Sequence, residues 1–183
     1  WTLAQIDALR LREAPSLSRA VVAIDPAVTS AEGSDETGIG VAGVGLCACK
    51  GPPELHGFVL ADLSGRYSPD GWARRAIGAL DTYKADRIVA EVNNGGELVE
   101  TVLRTIDRSV PYKAVHASRG KVTRAEPVAA LYEQGKVHHV GALPQLEDQM
   151  TTWTPGMASP DRMDALVWAL TELMLGTRTL EWA

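Results

Sequence analysis

The stretch RAVVAID, running from Arg19 to Asp25, decides how the rest of the chain is read. Ala20 to Ile24 is an unbroken run of small and branched apolar residues, without the alternation of a half-solvated strand, so it predicts a strand buried on both faces. Pro26 closes it, because proline offers no N–H to a sheet ladder. Asp25 therefore stands at the end of a buried strand, where a carboxylate costs several kcal/mol unless it is paired or holds a cation.

Working outward, residues Ala27 to Thr37 are polar and contain Gly33, which predicts a loop. Gly38 to Cys49 and Leu55 to Leu63 read as two further strands around a Gly51-Pro52-Pro53 turn, and such short links make the first three strands antiparallel neighbours. The period then changes. Ser68 to Tyr83 begins with a capping Ser and a Pro at the first helical position, with Trp72, Ile77 and Leu80 near one face. RIVAEV (Arg87 to Val92) is a fourth, buried strand carrying Glu91, followed by a helix at Glu97 to Ile106 and a fifth strand at Tyr112 to Ala117. Helices are expected at about Pro127 to Gln134, Leu143 to Met150 and Arg162 to Leu175, with a short apolar piece at Lys136 to Val140.

This order predicts an α/β fold with a mixed five-stranded central sheet, three antiparallel strands then parallel crossovers, flanked by helices. It is the element order of the ribonuclease H-like fold, which it resembles, and in which the fourth strand lies beside the first. On parallel strands about 4.8 Å apart, Asp25 and Glu91 would then converge at the C-terminal edge of the sheet. Asp161 and Asp164, spaced i and i+3 at the start of the last helix, share a face that can reach the same edge. Oxygen ligands without His or Cys select Mg²⁺ or Mn²⁺ over zinc. Taken singly, each acid has an ordinary reading: Asp25-Pro26 a turn starter, Asp161 a helix cap, Glu91 an ion-pair partner, and Asp62 either an outer acid or a turn partner for Ser64.

The chain has 183 residues, 18 Lys plus Arg against 23 Asp plus Glu, and a formal net charge of −5. With a mean hydropathy of −0.06 and a pI near 5.4, this is an ordinary globular composition, and no apolar run approaches the roughly 20 residues of a membrane helix. Arg104 to Arg124 carries Arg104, Arg108, Lys113, Arg119, Lys121 and Arg124 against Asp107 alone, a compact basic stretch in an acidic chain. Residues 1–18 read as a linker and 19–183 as one domain.

Several other chemistries are excluded. Gly38, Gly40 and Gly43 spell G-x-G-x-x-G with Asp62 downstream, but the glycines lie inside a strand rather than joining a strand to a helix, so a dinucleotide site is not expected. They are expected instead to keep that strand slim beside the acids. Both Gly-Lys pairs, at Gly120 and Gly135, are followed by Val, which rules out a phosphate-binding loop, and no G-x-S-x-G elbow is present. Cys47 and Cys49 are read as small buried hydrophobes, and His56, His116, His138 and His139 lack partners at zinc-ligand spacing. His138 and His139 are read as structural.

VVAIDPA (Val21 to Ala27), AEVNNGG (Ala90 to Gly96), KVTRAEPVAALYEQGKVHH (Lys121 to His139), LEDQM (Leu146 to Met150) and SPDRMDALVWAL (Ser159 to Leu170) together resemble the C-terminal nuclease domain of the large terminase subunit of tailed phages or prophages. The resemblance covers nearly the whole chain. It implies a metal-dependent endonuclease cutting concatemeric double-stranded DNA during genome packaging, with two Mg²⁺ or Mn²⁺ ions held by Asp25, Glu91 and Asp164, and Asp161 as a further candidate ligand. It implies that Arg119, Lys121 and Arg124 meet DNA phosphates, and that residues 1–18 join an N-terminal packaging ATPase. Portal and small terminase subunit are the further partners expected, no membrane is involved, and the setting is the host cytoplasm. Two alternatives stay open. A RuvC-type Holliday-junction resolvase shares the fold, an Asp-Pro, a central Glu and a D-x-x-D-A-L ending like Asp161 to Leu166; a non-catalytic DNA-binding or motor-docking module would carry vestigial acids.

Overall fold

The computed structural model describes residues 1–26, 36–49, 51–92, 97–116, 120–157 and 160–176, and for residues 97 and 121 the backbone alone. Its sheet is built from β1 (Leu17–Asp25), β2 (Gly38–Cys47), β3 (Glu54–Asp62), β4 (Arg87–Glu91), β5 (Tyr112–Val115) and β6 (Val137–His139), in the order β5-β4-β1-β2-β3-β6. β1, β2 and β3 are antiparallel neighbours, while β4 pairs with β1, β5 with β4 and β6 with β3 in parallel. The mixed ribonuclease H-like sheet is as the element order predicts, with the fourth strand beside the first. The sixth strand is the difference. At three residues it is too short to show a strand period, and it exists because its backbone pairs with the β3 edge through Gly57 to Val59.

The helices are α1 (Leu3–Ala8), α2 (Pro69–Tyr83), α3 (Glu97–Ile106), α4 (Lys121–Glu133), α5 (Pro144–Thr152) and α6 (Asp161–Leu170), with a π-helical turn at Thr171–Leu175 continuing α6. In α2, the Ser68 hydroxyl accepts from the Gly71 N–H and Pro69 follows at the first helical position, as the sequence signals require. α4 starts earlier than expected. Pro127 reads as a helix start because it lacks an N–H, but it lies in the second turn, inside a helix that begins at Lys121.

Two apolar layers sandwich the sheet. Val22, Ile24, Ile39, Val41, Ile88 and Ala90 face α2 and α3, whereas Val21, Ala23, Ala42, Val44 and Val89 face α4, α5 and α6. β1 lies between β4 and β2 and is covered on both faces, so Val21 to Ile24 are fully buried. Each large side chain so removed from water contributes about 1.5–3 kcal/mol. The N-terminal residues also pack on this body: Ile6 is buried, the Leu11 N–H donates to the His139 carbonyl, and Arg10 donates to Glu147 at 2.6 Å.

The cysteine reading is corrected here. Cys47 is half-buried, Cys49 is exposed, and their sulfurs are in bonding contact with Cα atoms 5.5 Å apart. Strand β2 ends at Cys47, so the extended geometry that would hold the two side chains apart does not persist to Cys49.

Candidate active site at the sheet edge

The last parallel pair between β1 and β4 is Ile24 with Ala90, so Asp25 and Glu91 occupy the next matched positions on adjacent strands. Side chains alternate along a strand, so both acids share the face of Ala23 and Val89, which is the face α6 covers. α6 crosses β1, β2 and β4 on that face and brings Asp164, 4% exposed, to the same side of the sheet as Glu91, 6% exposed. Asp161 opens α6 as its first residue, with Pro160 in the cap position, so it is not the helix cap that Ser-Pro-Asp suggests.

β2 explains how a helix comes so close. Asp25 pairs across the ladder with Gly38, and a Cβ on Gly38 would lie 2.0 Å from the Asp161 carbonyl oxygen; one on Gly40 would lie 3.4 Å from the Leu166 N. The glycines of the G-x-G-x-x-G segment thus lie within a strand, and Gly38 and Gly40 let the start of α6 settle on the sheet beside Asp25.

Glu91 is an acid in a buried strand, and its compensation is visible. Oε2 accepts from Trp168 Nε1 at 2.7 Å and from Arg124 Nη1 at 2.8 Å, while the Arg124 guanidinium lies 4.6 Å from the centre of the Trp168 ring. Trp168 is one turn beyond Asp164 on α6, so a single helix supplies one acid and orients another. A second cation lies beside Asp161. Arg162 is 5% exposed and forks between Glu36, at 2.9 and 3.0 Å, and Asp62, at 2.7 Å. Burial alone would lower the Arg162 pKa, but the hydrogen bonds it donates to Glu36 and Asp62 outweigh it and hold the guanidinium firmly protonated. Asp62 also accepts the Ser64 N–H at 3.1 Å, so its turn-partner reading holds, and the same carboxylate anchors the cation next to Asp161.

Neither Trp168 nor Arg162 stands out in the sequence. A buried indole needs a partner for its N–H, and a basic residue on the otherwise apolar DRMDALVWAL helix needs an acid; those were the available signals.

The basic stretch is not one face. Arg104 pairs with Glu100 at 2.7 Å, Lys113 with Glu172 at 2.7 Å and Arg124 with Glu91. Arg119 and the Lys121 side chain lie outside the described residues; the Lys121 backbone is the first residue of α4. The Asn93-to-Gly96 segment lies outside them as well.

Among the described residues, a group of His and Cys side chains whose ligand atoms all lie within 4.8 Å of one another is formed by Cys47, Cys49, His56 and His138. The expectation that no metal-ligand grouping of these residues exists is corrected for His56 and His138, which lack partners at ligand spacing in the sequence but meet the two cysteines in space. His138, on β6, meets Cys47, Cys49 and His56 of the β2–β3 hairpin where the two lie side by side.

A mixed sheet in this order, with carboxylates on β1, β4 and the helix laid across them, is of the ribonuclease H-like class. Residues 22–173 match the family model described as the terminase RNaseH-like domain, and the chain belongs to that family. This membership favours the terminase reading over the resolvase. No curated protein matches the sequence. Among solved structures, the large terminase of a thermophilic bacteriophage, in complex with ADP, matches with a TM-score of 0.65 at 9% identity, over 93% of this chain and 43% of that one. The large terminase nuclease of thermophilic phage G20c with bound cobalt gives 0.59 at 14% identity, over 93% and 96%; it has also been solved with bound zinc. A mutant nuclease domain of the large terminase subunit of bacterial virus Sf6, with manganese and beta-thujaplicinol, gives 0.57 at 14%, over 85% and 89%. The chain thus spans less than half of the ADP-bound large terminase and nearly all of the G20c nuclease.

Proposed function

We propose that this domain is a divalent-metal-dependent DNA endonuclease, the nuclease part of a phage terminase large subunit, which hydrolyses phosphodiester bonds of concatemeric double-stranded DNA during genome packaging. The observation that carries the reading is the matched register of Asp25 and Glu91 on adjacent parallel strands, on the face where α6 brings in Asp164. The donor set fits the group it would hold: carboxylates alone suit Mg²⁺ or Mn²⁺. Asp25, Glu91 and Asp164 would hold two such ions, with Asp161 as a further candidate. Two ions held by these carboxylates would supply an activated water and charge stabilisation for the leaving oxygen.

The chain's own residues do the positioning. Trp168 and Arg124 both donate to Glu91 Oε2, which fixes the plane of that carboxylate. Arg162 ties Asp62 and Glu36 to the first turn of α6 and so holds Asp161 and Asp164 over the sheet. Arg119 and Lys121 are proposed to meet the DNA backbone, giving salt-dependent binding with little base preference, whereas Arg124, expected from the sequence to do the same, pairs with Glu91. Residues 1–18 are proposed to lead from a packaging ATPase of the same full-length chain, with portal and small terminase subunit as further partners in the host cytoplasm. Among the described residues, no helix is long and apolar enough to cross a membrane.

The test is plasmid cleavage by the purified chain with Mg²⁺, with Mn²⁺ and after chelation, alongside four-way junctions. Metal-dependent cutting of linear duplex as readily as junctions is expected. No nicking with either metal would refute the enzyme reading and leave the motor-docking module; strict junction preference would point to the resolvase.

A further inference from the structure

The four-residue Cys/His group lies far from the acids. Asp25 pairs with Gly38 at one end of β2 and Cys47 closes the other end, nine residues on, so the two places are about 30 Å apart at a rise of about 3.3 Å per residue. Cys49 Sγ is 3.6 Å from both His56 Nδ1 and His138 Nε2, and these two nitrogens are 2.8 Å apart. A tetrahedral zinc with bonds of about 2.0–2.3 Å sets its sulfur–nitrogen edges at about 3.5 Å. Two edges of that polyhedron are therefore already in place. The nitrogen–nitrogen edge has to open by about half an ångström to reach the same geometry.

The surroundings are those of a ligand set. His138 Nδ1 lies 2.8 Å from the Leu9 carbonyl oxygen, which can only accept, so Nδ1 carries the proton and Nε2 presents its lone pair to the cluster in the neutral ring. This backbone-anchored tautomer is the arrangement that orients metal-binding histidines. The Cys49 backbone N–H donates to Cys47 Sγ at 3.3 Å, so the turn after β2 folds back on that sulfur. Both histidines are buried, Cys49 is exposed, and a cleft of about 380 Å³ lined by Cys47, Glu54, His56, Gln134 and Lys136 leads to the place.

We infer that Cys47, Cys49, His56 and His138 form a structural zinc site that ties the β2–β3 hairpin to β6 and to the N-terminal segment at Leu9. Two thiolates and two imidazoles select zinc rather than Mg²⁺, and four protein ligands leave no position for a substrate. The site is loaded from the dithiol state. A thiol reductant gives two electrons and two protons to the Cys47–Cys49 disulfide and itself becomes a disulfide. Zinc then displaces one proton from each thiol to solvent, and the His56 Nδ1 proton moves to Nε2. The metal matters at this edge because β6 has only three residues to hold it.

The whole chain, purified with reductant and without chelator, is assayed for zinc by mass spectrometry, and after exchange for cobalt by absorption. One zinc per chain and a thiolate-to-cobalt charge-transfer band are expected. Both should survive Asp25→Ala with Asp164→Ala, and both should be lost in Cys47→Ser with Cys49→Ser. The single exchange Cys49→Ser, at an exposed position, should shift the cobalt band even if the double variant fails to fold. Cobalt binding without a thiolate band, a cobalt band left unchanged by Cys49→Ser, or loss of zinc from the Asp25/Asp164 variant would overturn the assignment. Plasmid cleavage is scored separately, so failure of the zinc site and failure of the nuclease reading give different results.

Discussion

Arg124 donates to the Glu91 carboxylate at 2.8 Å, with the two side chains 12% and 5% exposed. The buried acid of β4 is thus neutralised by a residue assigned from sequence to DNA phosphates. The pairing changes what a substitution there measures.

Arg124→Ala should lower stability by about 3–5 kcal/mol, because it takes the cation away from a buried carboxylate and leaves the Trp168 N–H as a neutral donor in its place. Chemical denaturation checks this. A midpoint equal to wild type would mean that Glu91 does not depend on the cation.

Asp25→Ala should abolish plasmid cleavage with little loss of folding, a larger effect than the roughly 10–100-fold brought by losing an outer partner of a metal ligand. Wild-type cleavage rates in this variant would remove Asp25 from the proposed site.

Gly38→Ala tests the approach of α6. The added methyl meets a backbone carbonyl at 2.0 Å, so the helix start must shift, at an overpacking cost of about 1–3 kcal/mol. Lower thermal stability and weaker cleavage are expected together, whereas Gly78→Ala, with open space around its Cβ, should leave cleavage at the wild-type level.

Acid should weaken the fold in two stages. Burial lowers the His139 pKa from its ordinary 6.5 against the pull of Glu147, so the unfolded chain takes up that proton first and stability falls as pH drops below about 6.5. Burial alone would raise Glu147, but hydrogen bonds from Arg10, His139 and the Leu143 N–H hold it below its ordinary 4.5. Its contribution is present above that value and is lost as pH falls through the lowered one. Urea midpoints between pH 7 and 3 follow both stages, and Glu147→Gln should flatten the lower one.

Much of this molecule was legible in local pattern. The both-faced burial of Val21 to Ile24, the Ser68-Pro69 helix start, and the acids closing β1 and β4 follow from period, caps and the cost of placing charge in a strand. What local pattern hides is contact between residues far apart in the chain. The partner of Glu91 is one of several cations in a basic run, and nothing in that run's spacing singles out Arg124. The sequence by itself determined the order of the elements through β5, and the likeness of that order to the ribonuclease H-like fold placed β4 beside β1 and so Asp25 beside Glu91. Only the tertiary structure decided that β6 joins the sheet, that Arg162 locks α6 to Asp62, and that His138 meets Cys49. The reason is physical: periodicity records which face of an element is buried, whereas a pair such as Cys49 and His138 exists only once β3 has brought β6 alongside.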